Sequence, residues 1–184
     1  PGVALVNVGT EGFGQPAIIV VYDISPNDEA SEADKAASEI LLDAFENNKQ
    51  IGITEEEAIA IFEALITGQD IKTEVVAEPL KEPAEEDVKL IGEKVEEGQK
   101  LAGYYDISVL VKVNGEEIAK LRELGKKIKV QVELAKDLPA VASGYTRTYS
   151  VIRIYNGSAE VIAKGLTMKD GIVKFETDKF SVYA

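Results

Sequence analysis

Carboxylates are the one abundant reactive group in this chain, 33 Asp and Glu against 20 Lys and Arg, with no cysteine and no histidine beside them. Without a thiol or an imidazole there is no Ser-His-Asp or Cys-His nucleophile, no Cys/His zinc site and no disulfide. The usual proton shuttle near neutral pH is missing too. What remains is oxygen chemistry: calcium ligation, or hydrolysis by a pair of acids held at a set separation. Asp23, Asp28, Glu29, Glu32 and Asp34 form the densest cluster. A calcium loop needs oxygen ligands at alternate positions, a glycine at its sharp turn and a closing bidentate acid, and this stretch has no such glycine. Its acids lead into a helix, where the N-terminal dipole favours them. Glu55, Glu56 and Glu57, and likewise Glu85, Glu86 and Asp87, stand in first helical turns for the same reason. No metal and no cofactor is therefore expected. Among 33 acids some pair meets a glycosidase spacing by chance, and no Trp is present to stack on a sugar. A carboxylate-dependent hydrolase ranks third among the functional readings.

Three other stretches invite chemistry. The glycines at 9, 12 and 14 follow a strand-like run, as in a phosphate-binding loop. Such loops open into a helix, whereas this one leads through Pro16 into strand-like residues 17–24 and matches neither glycine fingerprint. Residues 145–155 alternate so that Tyr145, Arg147, Tyr149, Val151, Arg153 and Tyr155 share one face. Tyr and Arg are the types enriched at binding hot spots, so Tyr145, Arg147, Tyr149 and Arg153 are the candidate ligand-binding residues. The competing reading is a strand whose inward face changes at a bulge, with Tyr rings in the core and Arg groups paired to surplus acids. A Lys–Asn amide cross-link is a third option, drawing on Lys112, Lys129 or Lys174. Its obvious asparagines, Asn114 and Asn156, are taken by turns, which leaves Asn7.

The elements that must position these residues fall into two halves. In the first, residues 3–8 and 17–24 read as strands, and Ile18 to Tyr22 is apolar on both faces, so that strand needs cover on both sides. Ala33, Ala37, Ile40, Leu41, Ala44 and Phe45 make one stripe of a helix over 31–48. Thr54 with Glu57 is a capping box for a second helix, whose inner face is Ala58, Ile61, Phe62 and Leu65 and whose stop is Gly68. After a strand at 71–77, Pro79 and Pro83 bracket a connector to a third helix with Val88, Ile91 and Val95, stopping at Gly98. The second half is strands. Tyr105, Ile107, Val109, Val111 and Val113 alternate with polar neighbours, as do Ile128, Val130, Val132 and Leu134. Further strands read at 117–121, 145–155, 159–164, 172–176 and 180–183. Asn114-Gly115, Asn156-Gly157 and Asp170-Gly171 supply positive φ for tight hairpin turns. The expected fold is α+β. N-terminal strands with about three amphipathic helices fill 1–100, and an immunoglobulin-like antiparallel β-sandwich of about seven strands fills 101–184.

The run from Tyr105 to Ser108, the run from Thr146 to Arg153 and the ending from Phe175 to Ala184 resemble a β-sandwich module of large cell-surface proteins in gut clostridia and related Gram-positive bacteria. The upstream stretch from Gly68 to Val76 resembles the segment that precedes that module. The resemblance covers residues 54–184. It implies an extracellular, non-enzymatic structural or adhesive module within a longer wall-anchored protein, with a host protein, neighbouring surface protein or glycan as partner. It brings no catalytic residues. A carbohydrate- or peptide-binding module using residues 145–155 is the second reading.

The composition agrees with a folded, soluble module. Hydrophobic residues make up 45% of the chain, and its net charge of −13 repels phosphate backbones and anionic lipid. Nucleic acid and membrane contact are therefore not expected, and a monomeric module is. Zero cysteine suits the cytosol, and equally the disulfide-free surface proteins of Gram-positive bacteria. No apolar run reaches the ~20 residues of a membrane span, and neither a signal peptide nor a sortase-type anchor motif is present. The chain opens directly in a strand, as a piece of a longer protein would.

Overall fold

The computed structural model describes residues 30–47, 49, 51–134, 138 and 140–184, with the backbone of residues 6–7 and 18–19. The expected glycine loop, the acids Asp23, Asp28 and Glu29, and the side chain of Asn7 lie outside the described residues. β1 (Val6–Asn7) and β2 (Ile18–Ile19) pair antiparallel, with Val6 opposite Ile19.

The first helix, α1 (Glu32–Glu46), starts where its capping residues dictate. The Ser31 hydroxyl accepts the Asp34 N–H at 3.1 Å, and the Asp34 carboxylate accepts the Ser31 N–H at 2.9 Å. Its stripe buries Ala33, Ala37, Leu41 and Ala44. Thr54 and Glu57 form the same reciprocal cap on α2 (Glu55–Ile66), which buries Ile61, Ala64 and Leu65. Phe62, expected on that inner face, is 54% exposed. One residue is about 100° of helix, and the core-facing arc belongs to positions 61, 64 and 65. The third helix, α3 (Glu85–Gly92), ends before Gly98, and of its expected stripe Ile91 is buried while Val88 is exposed.

The strands are β3 (Ile71–Pro79), β4 (Tyr105–Val113), β5 (Glu116–Leu121), β6 (Glu123–Glu133), β7 (Tyr149–Tyr155), β8 (Ser158–Leu166), β9 (Ile172–Lys179) and β10 (Val182–Tyr183). The larger sheet runs β3-β4-β10-β7-β8, with β5 also on β4, and β6 pairs with β9 in a second sheet. Every pairing is antiparallel. With three helices among the described residues, the fold is α+β. Asn114, Asn156 and Asp170 adopt positive φ with the glycines that follow them, as hairpin turns of this chemistry require.

Period two places Ile107, Val109 and Val111 of β4 opposite Ile128, Val130 and Val132 of β6 and Val173 and Phe175 of β9. Ala37 and Leu41 of α1 and Ile61 and Leu65 of α2 join the same cluster. On the other face of the larger sheet, Ile152 and Ile154 of β7 and Ala159 of β8 pack around Ile91 of α3. The sheet crosses the expected boundary near residue 100, because β3 pairs with β4 from Ile71↔Val113 to Pro79↔Tyr105. That register continues the alternation of β4 into the earlier half.

Both rims of the larger sheet are blunted. On the β3 rim, Asp34 of α1 accepts the Val75 N–H at 2.6 Å, and Pro79 has no N–H to offer. The β8 rim carries two register shifts and a Gly165 at φ 70°. Capped, bulged edges resist pairing with another chain.

The corner where β5 becomes β6 is pinned from both sides. Gly52 N–H donates to Glu123 O at 2.9 Å, Arg122 N–H donates to Gly52 O at 3.0 Å, and Phe180 N–H donates to Arg122 O at 2.9 Å. A Cβ on Gly52 would sit 2.6 Å from the Glu123 backbone nitrogen, so alanine must break this bridge. Gly52→Ala is expected to cost about 2 kcal/mol in urea unfolding. A neutral result would show that the corner is held by its β-strands alone.

Candidate functional site

The strand expected to carry a Tyr/Arg strip starts later than its alternation suggests. Tyr145 N–H donates to Ala142 O at 3.1 Å in a turn at Gly144, whose φ is 84°, and pairing begins only at Tyr149. Tyr145 is 78% exposed, Arg147 is half-buried ahead of the strand, and Tyr149 is half-buried within it. Arg153 is buried at 6% exposure. The four candidate residues are therefore not one exposed strip.

Arg153 instead anchors an internal polar cluster. Its Nη1 donates to Thr177 Oγ1 at 2.9 Å and to Asp178 Oδ1 at 3.2 Å. Its Nε donates to Glu160 Oε1 at 3.2 Å, and Nη2 donates to the same oxygen. Burial alone would pull the guanidinium down, but its bonds to Glu160 and Asp178 outweigh that and hold it above its ordinary value. The Thr177 hydroxyl also bonds the Tyr183 hydroxyl at 2.9 Å, and Tyr183 donates to Lys179 O. Beside the cluster, Tyr155 donates to Glu123 Oε2 at 3.0 Å, with Lys179 Nζ 4.8 Å from its ring centroid. Among the described residues, no buried side-chain nitrogen or oxygen lacks a partner.

Burial pushes the Tyr183 phenol up, against the lowering pull of Thr177 and Arg153. The folded state therefore keeps this proton longer than the unfolded chain, whose tyrosines titrate near 10. The stability tied to it is whole below pH 10 and is lost as pH rises through the folded value. Urea stability is expected to fall above pH 10, and to fall less in Tyr183→Phe. Equal slopes in the two proteins would overturn this assignment.

Sequence reasoning missed Glu160, Thr177, Asp178 and Tyr183 as partners of Arg153. One signal pointed to them: Thr177 continues the inward series Val173, Phe175 with a polar residue. A polar group at an inward position must find a buried partner.

Above the cluster lies an apolar cleft of about 420 Å³, lined by Tyr105, Ile107, Leu134, Tyr149, Val151 and Phe175 among others. Gly103 and Ser150 reach its mouth. The other sequence candidates are dispersed. Asp34 caps α1, and Glu57 caps α2 while also accepting the Lys120 N–H at 3.3 Å. No group of three or more acids among the described residues is placed to hold a metal ion. Asn114 accepts the Asp70 N–H at 3.3 Å and donates to Gln69 at 2.9 Å, and Lys112 pairs with Glu74, so neither is arranged for an amide cross-link to the other. No described helix is long and apolar enough to cross a membrane. No protein-family model matches the chain, and no curated protein and no solved structure matches it.

Proposed function

We propose that this chain is a non-enzymatic structural or adhesive module of a Gram-positive bacterial surface protein, extracellular, monomeric and carried within a longer chain. Its strand region is read as an immunoglobulin-like sandwich. Seven strands, β4 to β10, fall between residues 105 and 183, and the chain passes from one sheet to the other at Arg122 and again after Lys179. That arrangement supports the sandwich reading.

The observation that carries the functional reading is the inward commitment of Arg153. The residue best suited to a binding hot spot is bonded to Glu160, Thr177 and Asp178 and is closed to a ligand. The blunted rims support it further, since modules displayed at high local density must not pair edge to edge. The surface-protein setting rests on the resemblance of residues 54–184.

A carbohydrate- or peptide-binding module is the second reading, favoured by one observation. Tyr145 is exposed, and Tyr149 lines the mouth of the apolar cleft. The test is interferometry of the folded chain against wall polysaccharide, mucin glycans and matrix proteins, beside a panel of chromogenic glycoside, ester and peptide substrates. The structural reading expects no turnover and no saturable glycan or peptide binding. Micromolar binding abolished by Tyr149→Ala would replace it with the binding module. Turnover abolished by a single carboxylate-to-amide change would replace it with a hydrolase.

A further inference from the structure

The α2 helix is apolar on more than its buried side. Ile61, Ala64 and Leu65 enter the core, while Ile59, Phe62 and Ile66, at spacing i, i+3 and i+7, are 51%, 54% and 39% exposed. A helix apolar on two faces is one built to be covered on both. The stripe continues, one turn from Phe62, into Ala58, which with Phe45, Ile51 and Ile53 lines a cleft of about 580 Å³ between α1 and α2. Stripe and cleft form one apolar surface on the outside of the helical layer.

We propose that this surface is the seat of the chain's own N-terminal apolar segment, residues 17–22. That segment reads Ala-Ile-Ile-Val-Val-Tyr and is apolar on both strand faces, so pairing with β1 along its edge leaves side chains above and below in need of cover. It is within reach. Ser31 caps α1 at the point where Asp34 bonds Val75, and Val75 is four residues, about 13 Å, along β3 from Ile71, where the chain leaves α2. The eight residues from Tyr22 to Ala30 span up to about 27 Å. A second copy is the weaker occupant. The stripe is flanked by Glu55, Glu56 and Glu63, and each chain carries a net charge of −13, so two stripes would meet with like charges on their rims.

The absence of cysteine makes a clean test in the full-length chain. A single thiol is placed by Phe62→Cys, at an exposed position whose loss leaves the core intact, and its alkylation by N-ethylmaleimide is followed by mass spectrometry. The thiol is expected to react at least ten-fold more slowly than in urea, at a rate independent of protein concentration. Ile19→Asp and Val20→Asp place a charge on opposite faces of the segment, and one of them is expected to restore the fast rate. Should either variant fail to fold, the double variant Ile19→Cys/Phe62→Cys is oxidised instead, and a monomeric disulfide-linked product is expected. A Phe62→Cys thiol that reacts as fast folded as in urea overturns the proposal. So does protection that appears only as concentration rises, which would assign the surface to a second copy. Protection that neither aspartate relieves, with no cross-link in the double variant, overturns it equally.

Discussion

Tyr183→Ala is expected to cost about 4 kcal/mol in urea or thermal unfolding, the range for emptying a large aromatic site in a packed core. In a chain of this length that lowers Tm by roughly 10 °C. The size follows from what the side chain does. Tyr183 is 2% exposed, its ring centroid lies 5.7 Å from that of Phe175, and its hydroxyl joins Thr177 and Lys179. It is also half of the two-residue strand β10, whose backbone pairs with Tyr105 on one side and Arg153 on the other. So short a strand has little backbone pairing of its own, and the buried ring is what fixes it between its neighbours. Tyr183→Phe keeps the ring and removes the hydroxyl, so its expected cost is about 1 kcal/mol. If the alanine variant costs no more than the phenylalanine one, the ring does not hold β10, and the centre of the sheet is secured from elsewhere.

Removing Arg153 is the second large effect. Arg153→Ala is expected to cost about 3 kcal/mol, because Asp178 and Thr177 then face an emptied, largely dry site. The value falls at the low end for a broken buried pair, since the Glu160 side chain is 54% exposed and the Asp178 side chain 27%, so water can take over part of their solvation. For the same reason Glu160→Gln is expected to cost under about 1 kcal/mol. A double-mutant cycle between positions 153 and 178 separates their coupling from the lost packing of the arginine stem. A folded, fully stable Arg153→Ala protein would mean the cluster is not structural, and would reopen the strand as a recognition surface.

How much of this was legible in the sequence depends on the range of the forces involved. The hairpin turns at Asn114, Asn156 and Asp170 and the caps at Ser31 and Thr54 are set by neighbours within three residues, and they stand where the sequence puts them. The alternation of β4 and β6 is equally local, and all nine of its apolar positions are buried. The fate of Arg153 was not readable in this way. Its partners Thr177 and Asp178 lie 24 and 25 residues away, and the register shifts between β7 and β8 are a property of the pair of strands. The exposure of Phe62 misled for a similar reason. An apolar residue beside a core-facing arc says only that something covers it, and the periodicity of one helix cannot say what.

The position of β10 bears on the order of events in synthesis. Val182 and Tyr183 stand late in sequence, yet they lie between β4 and β7 rather than at a rim. As the chain emerges N-terminal end first, the helices, β3 and the β4–β5 hairpin can form early. The two halves of the larger sheet have nothing to join them until these residues arrive. Cooperative closure must then wait for almost the whole module, leaving the β7–β8 hairpin unpaired on its inner side in the meantime. A chain exported before that moment travels in a loose, threadable state and locks only once its last strand is through.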